Sequence, residues 1–417
     1  MKILHVNTSD IQGGAARAAY RLHQALIVAG VDSQMLVQYK ASDDQTVIRL
    51  DSPWQKARSK VAPTLDIHPV KRYSTRTATL FSPAWTPFST VPQVINKLKP
   101  DIVHLHWICG GMMTIEDIGK INAPIVWSLH DNWAFTGGCH IKWECDSYQN
   151  NCGSCPRLGS TEDNDLSRKI WKRKNKVFSQ MQQFTIIGLS RWLADCAKVS
   201  GLLKNHTIIN LPNLLDTDIF KPIDKKIART LLNLPIDKKL VVFGANSATQ
   251  DINKGFQELS QALTHLSENI ELVIFGSSKP KIAQGFKQYT HYLGHLHDDI
   301  SLRLLYSAAD VMIVPSLQEN LSNVIMESLA CETPVVAFRV GGNGDMIDHK
   351  KNGYLAKPFN PQDLAHGVEW VLDNSYTIKD NARNKIISSF ESKFVCKKYI
   401  NLYKEILAQV DSKNNEK

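Results

Sequence analysis

The sequence lacks any apolar run long enough to cross a membrane. A spanning helix needs about 20 consecutive apolar residues, and no window of the 417 residues approaches that length. The first residues, Met1–Asn7 (MKILHVN), are followed at once by a polar, glycine-rich stretch, whereas a secretory signal needs a longer apolar segment. These absences predict a cytoplasmic protein whose contact with a membrane, if it has one, is peripheral at the inner face.

The sequence also lacks a recognised nucleic-acid-binding motif, although its charge is basic. Lys and Arg number 49 against 40 Asp and Glu, which gives a net charge of +9. Such a surplus favours an anionic partner, which could be a nucleotide, a phospholipid surface or a nucleic acid. The basic residues are spread over many segments rather than gathered in one recognition element. We therefore expect no nucleic acid among the partners.

The composition is that of a globular protein, with 43% hydrophobic and 21% charged residues, and a chain of this length predicts two domains. Short apolar runs alternate with helical periodicity in both halves, which is typical of parallel sheets covered by helices. The predicted strands are Lys2–Asn7, Ser33–Gln38, Asp101–His106, Pro124–His130, Phe184–Ser190, Leu240–Gly244, Ile270–Gly276, Val311–Pro315 and Pro334–Val340. The predicted helices include Ala15–Ala29, Gly255–Leu266, Ser322–Ala330, Pro361–Leu372, Ile378–Phe390 and Phe394–Val410.

The predicted fold class is α/β, with two facing Rossmann-like, doubly wound domains. Asn210–Lys221 is the predicted hinge. The first domain is expected at residues 1–212, with a cysteine-rich loop at 137–157, and is completed by the C-terminal helix at 394–412. The second is expected at residues 213–393. Doubly wound sheets bind ligands at the carboxyl ends of their strands, so we expect a ligand cleft between the two domains.

Two glutamates eight residues apart form the most informative motif, in the stretch PSLQENLSNVIMESLACETPVVAFRV that begins at Pro315. Glu319 follows a predicted strand, and Glu327 lies inside the next helix. Ser322 is the predicted N-cap of that helix, whose positive dipole end and free backbone N–H groups suit a pyrophosphate. Carboxylates accept hydrogen bonds from sugar hydroxyls. Two isolated acids of this kind are usually solvated, so the surrounding sequence decides the interpretation.

This surrounding sequence resembles the family 4 glycosyltransferases of the GT-B fold. Glu319 and Glu327 match the E-x7-E pair of that family, and Gly13 and Gly14 match the glycine loop of its first domain. The resemblance covers nearly the whole chain and is strongest between about Leu240 and Phe359. Further matching segments are Ala309–Ser316 before the pair, Ala330–Ala337 and Gly341-Gly342 after it, and Asn352–Leu355 as a following loop.

The resemblance implies a retaining transfer of sugar from a nucleotide-sugar donor, UDP- or GDP-linked. It implies that Glu327 holds the donor ribose, that Glu319 contacts the transferred sugar, and that Lys254 neutralises the diphosphate as negative charge develops on it. The backbone N–H groups of the residues after Glu319 are expected near the sugar or phosphates; these are Asn320, Leu321 and Ser322.

One departure concerns the phosphate site. The family usually carries an Arg shortly before the Lys, whereas residues 244–253 read GANSATQDIN. Asn246 or Ser247 could donate hydrogen bonds there, but neither supplies a charge. Phosphate neutralisation is therefore expected to be weaker, or to draw on a cation from elsewhere in the chain.

His130 ends a predicted strand in the first half, within Ser128–Asp131 (SLHD). A lone histidine at a strand end is more often structural. The resemblance implies instead that His130 lies close to the transferred sugar, that the donor phosphate takes the acceptor's proton, and that no catalytic metal is required. The implied acceptor is a saccharide, in many relatives a lipid-linked one.

Four cysteines fall within one short polar stretch with the spacing C-x5-C-x6-C-x2-C; they are Cys139, Cys145, Cys152 and Cys155. The terminal C-x2-C is typical of a zinc knuckle, and His140 is an alternative ligand. A structural zinc ion is the favoured interpretation, ahead of free thiols or a disulfide and of an iron–sulfur cluster. The surrounding HDNWAFTGGCH resembles a subgroup of exopolysaccharide and capsule glycosyltransferases.

A basic amphipathic helix is predicted at Ser167–Met181. Its apolar stripe contains Trp171, and basic residues fill the other faces. Such a helix can lie on an anionic membrane, or its stripe can pack into the core and leave only a solvated basic face. Membrane contact is the prediction that the lipid-linked acceptor favours.

Three alternative functions stay open at this level. A nucleotide-sugar epimerase would use the same donor site without an acceptor. A catalytically silent relative would explain the missing Arg. A zinc-knuckle protein that binds nucleic acid would be retained on heparin in a salt-dependent manner and would not turn over nucleotide sugars.

Overall fold

The computed structural model describes residues 1–244, 251–276, 286–296 and 298–415, and describes side chains as far as residue 412. The chain forms two compact units, unit 1 (residues 1–213 with 395–417) and unit 2 (residues 214–394). The sequence-based boundary lay at residues 212 and 213. Each unit holds one sheet in which every observed strand pair is parallel.

Unit 1 is a seven-stranded sheet in the order β3-β2-β1-β4-β5-β6-β7. Its strands are β1 (Lys2–Ser9), β2 (Asp32–Tyr39), β3 (Val47–Arg49), β4 (Ile102–Leu105), β5 (Ile125–Leu129), β6 (Phe184–Gly188) and β7 (Thr207–Asn210). Its helices are α1 (Gly14–Val28), α2 (Pro53–Asp66), α3 (Val91–Leu98), α4 (Ile115–Ile118), α5 (Leu166–Phe178) and α6 (Arg191–Val199). Short 3-10 turns lie at His68–Arg72, Trp133–Phe135 and Ser147–Gln149.

Unit 2 is a six-stranded sheet in the order β10-β9-β8-β11-β12-β13. Its strands are β8 (Lys239–Gly244), β9 (Ile270–Phe275), β10 (Thr290–Tyr292), β11 (Val311–Val314), β12 (Val335–Phe338) and β13 (Gly353–Ala356). Its helices are α7 (Lys225–Leu231), α8 (Phe256–Leu263), α9 (Asp299–Ala308), α10 (Asn323–Ala330), α11 (Asn343–Met346) and α12 (Pro361–Phe390); α13 (Ser392–Asn415) then leads into unit 1. A 3-10 turn at Ile252–Lys254 precedes α8.

Several local predictions were wrong. The helices expected at Pro361–Leu372 and Ile378–Phe390 form one 30-residue helix, α12, because the polar residues between them are compatible with helix and no proline or glycine interrupts them. Asn352–Leu355, expected as a loop, contributes the edge strand β13, which pairs with β12. Ser322 occupies the N-cap position of α10, but within the described residues its hydroxyl makes no capping hydrogen bond.

The predicted basic helix is α5, and its apolar stripe is not available to a membrane. Ile170 and Phe178 are buried in the core of unit 1, and Trp171 and Val177 pack partly against it. Burying this stripe in the sheet-packing core removes it from water, as in any globular amphipathic helix. The expectation that the stripe of α5 enters a bilayer was therefore wrong. Among the described residues, no helix combines the length and apolarity needed to cross a membrane.

One face of the unit 1 sheet carries a ladder of buried histidines. His5 on β1 pairs in register with His104 on β4, and both are fully buried. His106 Nε2 lies 3.0 Å from His5 Nδ1, and His106 Nδ1 lies 3.0 Å from His130 Nε2. Helix α13 covers the ladder with Tyr403, whose hydroxyl lies 2.7 Å from His104 Nδ1. Burial lowers the pKa of His104 to about 3 and that of His130 to about 4, so the rings are neutral at pH 7.

These neutral histidines predict an acid-sensitive fold. The unfolded chain binds a proton at each ring near the ordinary pKa of 6.5, whereas the folded values lie at about 3 for His104 and about 4 for His130. Below about pH 6.5 the unfolded state therefore binds more protons, and the free energy of unfolding falls as pH is lowered toward about 4. Urea titrations at a series of pH values measure this slope.

A matched pair of variants assigns the slope to the ladder. His104→Gln removes one buried titrating ring and should flatten the pH dependence, whereas His265→Gln, at an exposed position, should leave it unchanged. A free energy of unfolding that stays constant between about pH 7 and about pH 5 would contradict the buried neutral ladder.

Candidate functional site

The Glu319 loop sits at the carboxyl edge of the unit 2 sheet, beside the point where the strand order reverses. The chain runs from β8 to β9 on one side, whereas β11 pairs with β8 on the other. Ligands of doubly wound sheets bind outside the strand ends at such a reversal. The loop at residues 315–322 follows β11, and Ile252–Lys254 follows β8 after a gap in the described residues. The sheet therefore brings together two loops that are more than 60 residues apart in sequence.

Backbone contacts fix these two loops against each other. Leu317 N–H donates to the carbonyl of Asn253 at 2.9 Å, and the Asn253 side-chain amide donates to the carbonyl of Gln318 at 2.8 Å. Gly255 has φ +69° and a Cβ built on it would lie 1.9 Å from the Pro315 carbonyl oxygen. Only glycine allows so close an approach in this conformation.

Lys254 and Glu319, both predicted site residues, form an ion pair. Lys254 Nζ lies 3.2 Å from Glu319 Oε2, and the two side chains are 26% and 16% exposed. The Glu319 carboxylate raises the pKa of Lys254, so the ammonium is charged at neutral pH. A partly buried cation and anion in contact can each exchange the other for a ligand group of opposite charge or for a hydroxyl.

Glu327 is not a surface acid of its helix, because it is only 2% exposed. The hydroxyl of Tyr306, on α9, donates to Glu327 Oε2 at 2.8 Å. Tyr306 is fully buried and therefore orients the carboxylate from within the core. A buried carboxylate is costly unless its oxygens are hydrogen-bonded, which makes this placement unusual for a residue without a function. Sequence reasoning missed Tyr306; it could have been found only as the polar member of an otherwise apolar helix face.

The remaining predicted residues of unit 2 are only partly described. Leu321 is buried at 7% exposure and Ser322 at 8%, and Asn320 precedes them in the same loop before α10. Asn246 and Ser247 lie outside the described residues.

In unit 1, the predicted residues collect at the carboxyl edge of the sheet. Gly13 and Gly14 are exposed and lead from β1 into α1. His130 follows β5 and is held by His106 through its Nε2 atom at 3.0 Å. Because both rings are neutral, the tautomer of His130 is coupled to that of His106. The sequence predicted His130 as a site residue but gave no sign that His106 and His5 lie next to it, because only the strand register brings these residues together.

His140, considered as a metal ligand, is engaged at both ring nitrogens. Its Nδ1 lies 2.6 Å from Asp131 Oδ2 and its Nε2 lies 2.8 Å from Ser82 Oγ. Trp107 Nε1 also donates to the same Asp131 oxygen at 3.0 Å. These bonds fix the segment after β5 and leave the imidazole committed to protein partners.

The four clustered cysteines line one cavity in unit 1; they are Cys139, Cys145, Cys152 and Cys155. The structure has all four as free thiols, and burial raises the pKa of Cys152 to about 12. Among the described residues, one group of three side chains of metal-binding type has its ligand atoms within 4.8 Å of one another. It consists of His5, His104 and His106, and the cysteines do not form such a group. In that trio the rings of His104 and His106 are stacked, and both ring nitrogens of His104 are hydrogen-bonded to protein groups, Tyr403 and Ser128.

A buried lysine is hydrogen-bonded to Thr136, one of the residues that line the cysteine cavity. Lys174, on α5, is fully buried and donates to the carbonyls of Trp133 and Thr136, with its ammonium 3.6 Å from the centre of the Trp133 ring. Burial lowers its pKa to about 7. Lys174 thereby ties α5 to the Trp133–Phe135 turn and to the loop that carries Cys139.

Comparison with known proteins gives two family matches. Residues 12–194 match the model of Glycosyltransferase Family 4, and residues 237–374 match the model of Glycosyl transferases group 1. An uncharacterized glycosyltransferase of Methanocaldococcus jannaschii is 31% identical over 74% of this chain and 84% of its own length. The putative colanic acid biosynthesis glycosyl transferase WcaC of Escherichia coli K12 is 23% identical over 81% of this chain and 83% of its own.

Solved structures match over nearly the whole chain. Sucrose-phosphate synthase from Thermosynechococcus elongatus superposes with a TM-score of 0.71 at 18% identity, covering 98% of this chain and 100% of its own. HepE of Anabaena, solved in complex with UDP and glucose, superposes with a TM-score of 0.64 at 16% identity, covering 96% and 99%. At these identities the likeness concerns the fold.

The crowding around the Glu319 loop predicts a localised sensitivity. Gly341 has φ +51°, and a Cβ there would lie 1.8 Å from the Glu319 carbonyl oxygen, whereas Gly294 has φ +64° and a Cβ there would meet no atom of the described residues within 4 Å. Both Gly→Ala changes cost backbone strain, but Gly341→Ala must also displace the Glu319 loop. We expect Gly341→Ala to lower the free energy of unfolding by about 1–3 kcal/mol more than Gly294→Ala, measured by urea titration. Equal losses would contradict the close approach.

Proposed function

Because the chain belongs to the family 4 glycosyltransferases of the GT-B fold, and is thus a glycosyltransferase, we propose that it is a retaining enzyme. It transfers a sugar from a nucleotide-sugar donor to a lipid-linked saccharide acceptor in cell-surface polysaccharide biosynthesis. The similarity to WcaC supports the pathway class. The complex of HepE with UDP and glucose supports a nucleoside-diphosphate donor, UDP- or GDP-linked. The proposal rests on the ion pair between Lys254 and Glu319, the latter in the loop that leads into α10, the helix that contains the buried Glu327.

We assign donor binding to unit 2. Glu327, oriented by Tyr306, accepts the hydrogen bonds of the ribose hydroxyls, because an ionised carboxylate only accepts. Lys254 turns from Glu319 to the diphosphate, and Glu319 is then available to the hydroxyls of the transferred sugar. The backbone N–H groups of Asn320, Leu321 and Ser322 lie at the start of α10, where the helix dipole favours negative charge.

The missing arginine makes Lys254 the main cation of this arrangement. Asn246 can add a neutral hydrogen bond to the phosphates. As the bond between the anomeric carbon and the diphosphate breaks, the leaving group gains negative charge, which Lys254 and the helix terminus stabilise. These groups supply the charge stabilisation, so the proposal requires no catalytic metal.

We assign the acceptor side to unit 1. Gly13 and Gly14, the predicted donor-binding residues of this unit, let the chain approach the donor closely at the start of α1. His130, neutral because burial lowers its pKa to about 4, offers a hydrogen bond to the sugar without a charge. The acceptor oxygen bonds to the anomeric carbon on the face that the diphosphate leaves, and its proton passes to a phosphate oxygen. The configuration at the anomeric carbon is thereby retained.

The proposal is tested first by donor screening. UDP or GDP at about 100 times its dissociation constant should raise the free energy of unfolding by about 2.7 kcal/mol, which a thermal shift detects. Nuclear magnetic resonance of the product made from the recognised donor should show the donor's anomeric configuration. An inverted product would overturn the retaining mechanism, and isomerisation of the donor without an acceptor would instead indicate an epimerase.

Substitutions in unit 2 separate the roles. Glu327→Gln should weaken nucleotide binding about 10- to 100-fold, since one ribose hydroxyl loses its charged acceptor. Glu319→Gln should lower kcat by about 100-fold with a smaller effect on nucleotide affinity. Glu268→Gln, at an exposed position of the same unit, is the control. Isothermal titration with the nucleotide and a transfer assay measure both, and unchanged values in both site variants would refute the assignment.

We further propose that the four cysteines around the unit 1 cavity bind a structural zinc ion. All four line the same cavity, and the Cys152–Ser154 knuckle holds three successive residues at positive φ, a costly conformation outside a constrained site. The Gly137 N–H donates to Cys152 Sγ at 3.2 Å, as thiolate ligands of zinc accept. Zinc would draw the sulfurs together, replace their protons and fix the loop.

Metal analysis of reduced, unchelated protein should find about one zinc per chain. Cys152→Ser should lose the metal and loosen the loop beyond His130 but leave nucleotide binding by unit 2 intact. Cys331→Ser, a buried cysteine of unit 2, should keep the metal. Protein without zinc or iron would remove the proposal.

We place the enzyme at the cytoplasmic face of the inner membrane, where a lipid-linked acceptor and a soluble nucleotide sugar meet. Helix α5 can contribute to this only through its charges, since its apolar stripe is buried. Lys172 and Lys176 are exposed, whereas Arg173 is bound to Glu116 with an Nη2–Oε2 distance of 2.6 Å.

A further inference from the structure

Helix α2 exposes large apolar side chains to solvent while it buries polar ones. Gln55, Arg58 and Ala62 face the interior, while Trp54, Val61 and Leu65 are 57%, 54% and 46% exposed. At about 100° per residue, these three exposed positions fall within about 40° of one another on the helix surface. The helix therefore presents a continuous apolar stripe to solvent.

The loop at residues 84–88 extends this stripe with two aromatic side chains, Trp85 and Phe88, which are 40% and 75% exposed. Buried side chains of α2 hold the loop beside it. Arg58 donates to the carbonyls of Thr86 at 2.9 Å and Pro87 at 3.1 Å, and Asp66 Oδ1 accepts from the Trp85 N–H at 3.1 Å. Phe88 is held at φ +64°, an unfavourable conformation for an aromatic residue.

The concentration of exposed apolar side chains is specific to this region. Of the 21 large hydrophobic residues that are exposed in the described part of the chain, seven lie between positions 54 and 88, a segment of less than a tenth of the chain. Single exposed apolar residues are ordinary, but a contiguous patch marks an interaction site.

The charges in this segment are mostly basic. Residues 52–100 contain eight Lys and Arg and a single acid, Asp66, which is fully buried. The exposed cations of this segment are Lys56, Lys60, Lys71, Arg72 and Arg76; Lys71 and Arg72 lie in the 3-10 turn that follows the end of α2. Lys56 lies 3.4 Å from Asp51, so the others carry most of the positive field. This complementarity favours an anionic occupant with an apolar interior.

Helix α5 reaches the same loop through Arg173, which donates to the carbonyls of Pro83 at 3.0 Å and Ala84 at 2.9 Å. The exposed Lys172 and Lys176 flank this arginine in sequence. The basic face of α5 therefore adds charge next to the patch, although its own apolar stripe points into the core.

We propose that α2 and the 84–88 loop form an apolar–basic surface that docks unit 1 on an anionic phospholipid bilayer. Trp54, Leu65 and Phe88 enter the boundary between headgroups and acyl chains, where tryptophan is favoured, and Lys60, Lys71 and Arg72 pair with lipid phosphates. The surface deepens the proposed function, since it brings the acceptor unit to a lipid-linked acceptor, but vesicle binding does not depend on that function.

Sedimentation with vesicles of phosphatidylglycerol and phosphatidylcholine tests the surface. The wild-type chain should bind these vesicles at low salt, release at high salt because exposed charges are screened, and ignore pure phosphatidylcholine. The double variant Trp54→Ser, Leu65→Ser should weaken binding by about tenfold or more. The control Val28→Ser with Tyr376→Ser, at positions elsewhere that are even more exposed, should not weaken it. The triple variant Lys60→Glu, Lys71→Glu, Arg72→Glu should weaken it by about 100-fold or more, and Lys226→Glu, Lys238→Glu, Lys239→Glu in unit 2 should have a much smaller effect.

The outcomes distinguish the surface from its alternatives. Absence of binding to anionic vesicles at low salt overturns the proposal, as does an equal loss in the control variants. A concentration-dependent dimer in gel filtration that the Trp54→Ser, Leu65→Ser variant abolishes would show that the patch joins two copies of the chain instead. Both surface variants should still transfer sugar to a water-soluble acceptor. If the wild-type chain binds anionic vesicles but transfers no sugar, the result counts against the proposed function and not against this surface.

Discussion

The rest of the structure depends on one constraint, which is that both sheets are parallel throughout. Parallel strands all end at the same edge, so every loop that leaves a carboxyl end is delivered to one side of its sheet. In unit 2 this brings Lys254 within 3.2 Å of Glu319 although 65 residues separate them. In unit 1 it places the Gly13-Gly14 turn and His130 along one edge. The glycines at 255 and 341 then let these loops approach backbone to backbone.

Burial of polar groups is the second physical theme of the molecule. Glu327 and the histidine ladder are withdrawn from water, which is favourable only when their polar atoms are hydrogen-bonded. Tyr306 supplies such a bond to Oε2 of Glu327, and Tyr403 and Ser128 supply them to the two ring nitrogens of His104. These hydrogen bonds restrict the orientations open to the Glu327 carboxylate and the His104 ring. Preorganised groups of this kind bind a developing charge without having to reorient.

Helices α5 and α2 of unit 1 show that a periodic hydrophobic pattern does not by itself predict which face of a helix is buried. The sequence of α5 predicts an apolar stripe, and the structure has that stripe in the core. In α2 the interior side carries Gln55 and Arg58, whose hydrogen bonds go to neighbouring loops, while Trp54 and Leu65 face outward. Hydrophobic periodicity measures a difference between two faces of a helix; which face is covered depends on the neighbours that the fold supplies.

The sequence by itself determined the α/β class, most of the strands and the residues of the E-x7-E pair, because these follow from local periodicity and from side-chain chemistry at fixed spacing. It also predicted Lys254 and His130 as site residues, which stays a prediction. Only the tertiary structure decided that Glu327 is buried against Tyr306 and that Lys254 pairs with Glu319. It also decided that His106 and His5 extend the row of contacting rings that begins at His130. These contacts join residues that are distant along the chain. The distances between them are set by strand register and close packing, which no local sequence pattern encodes.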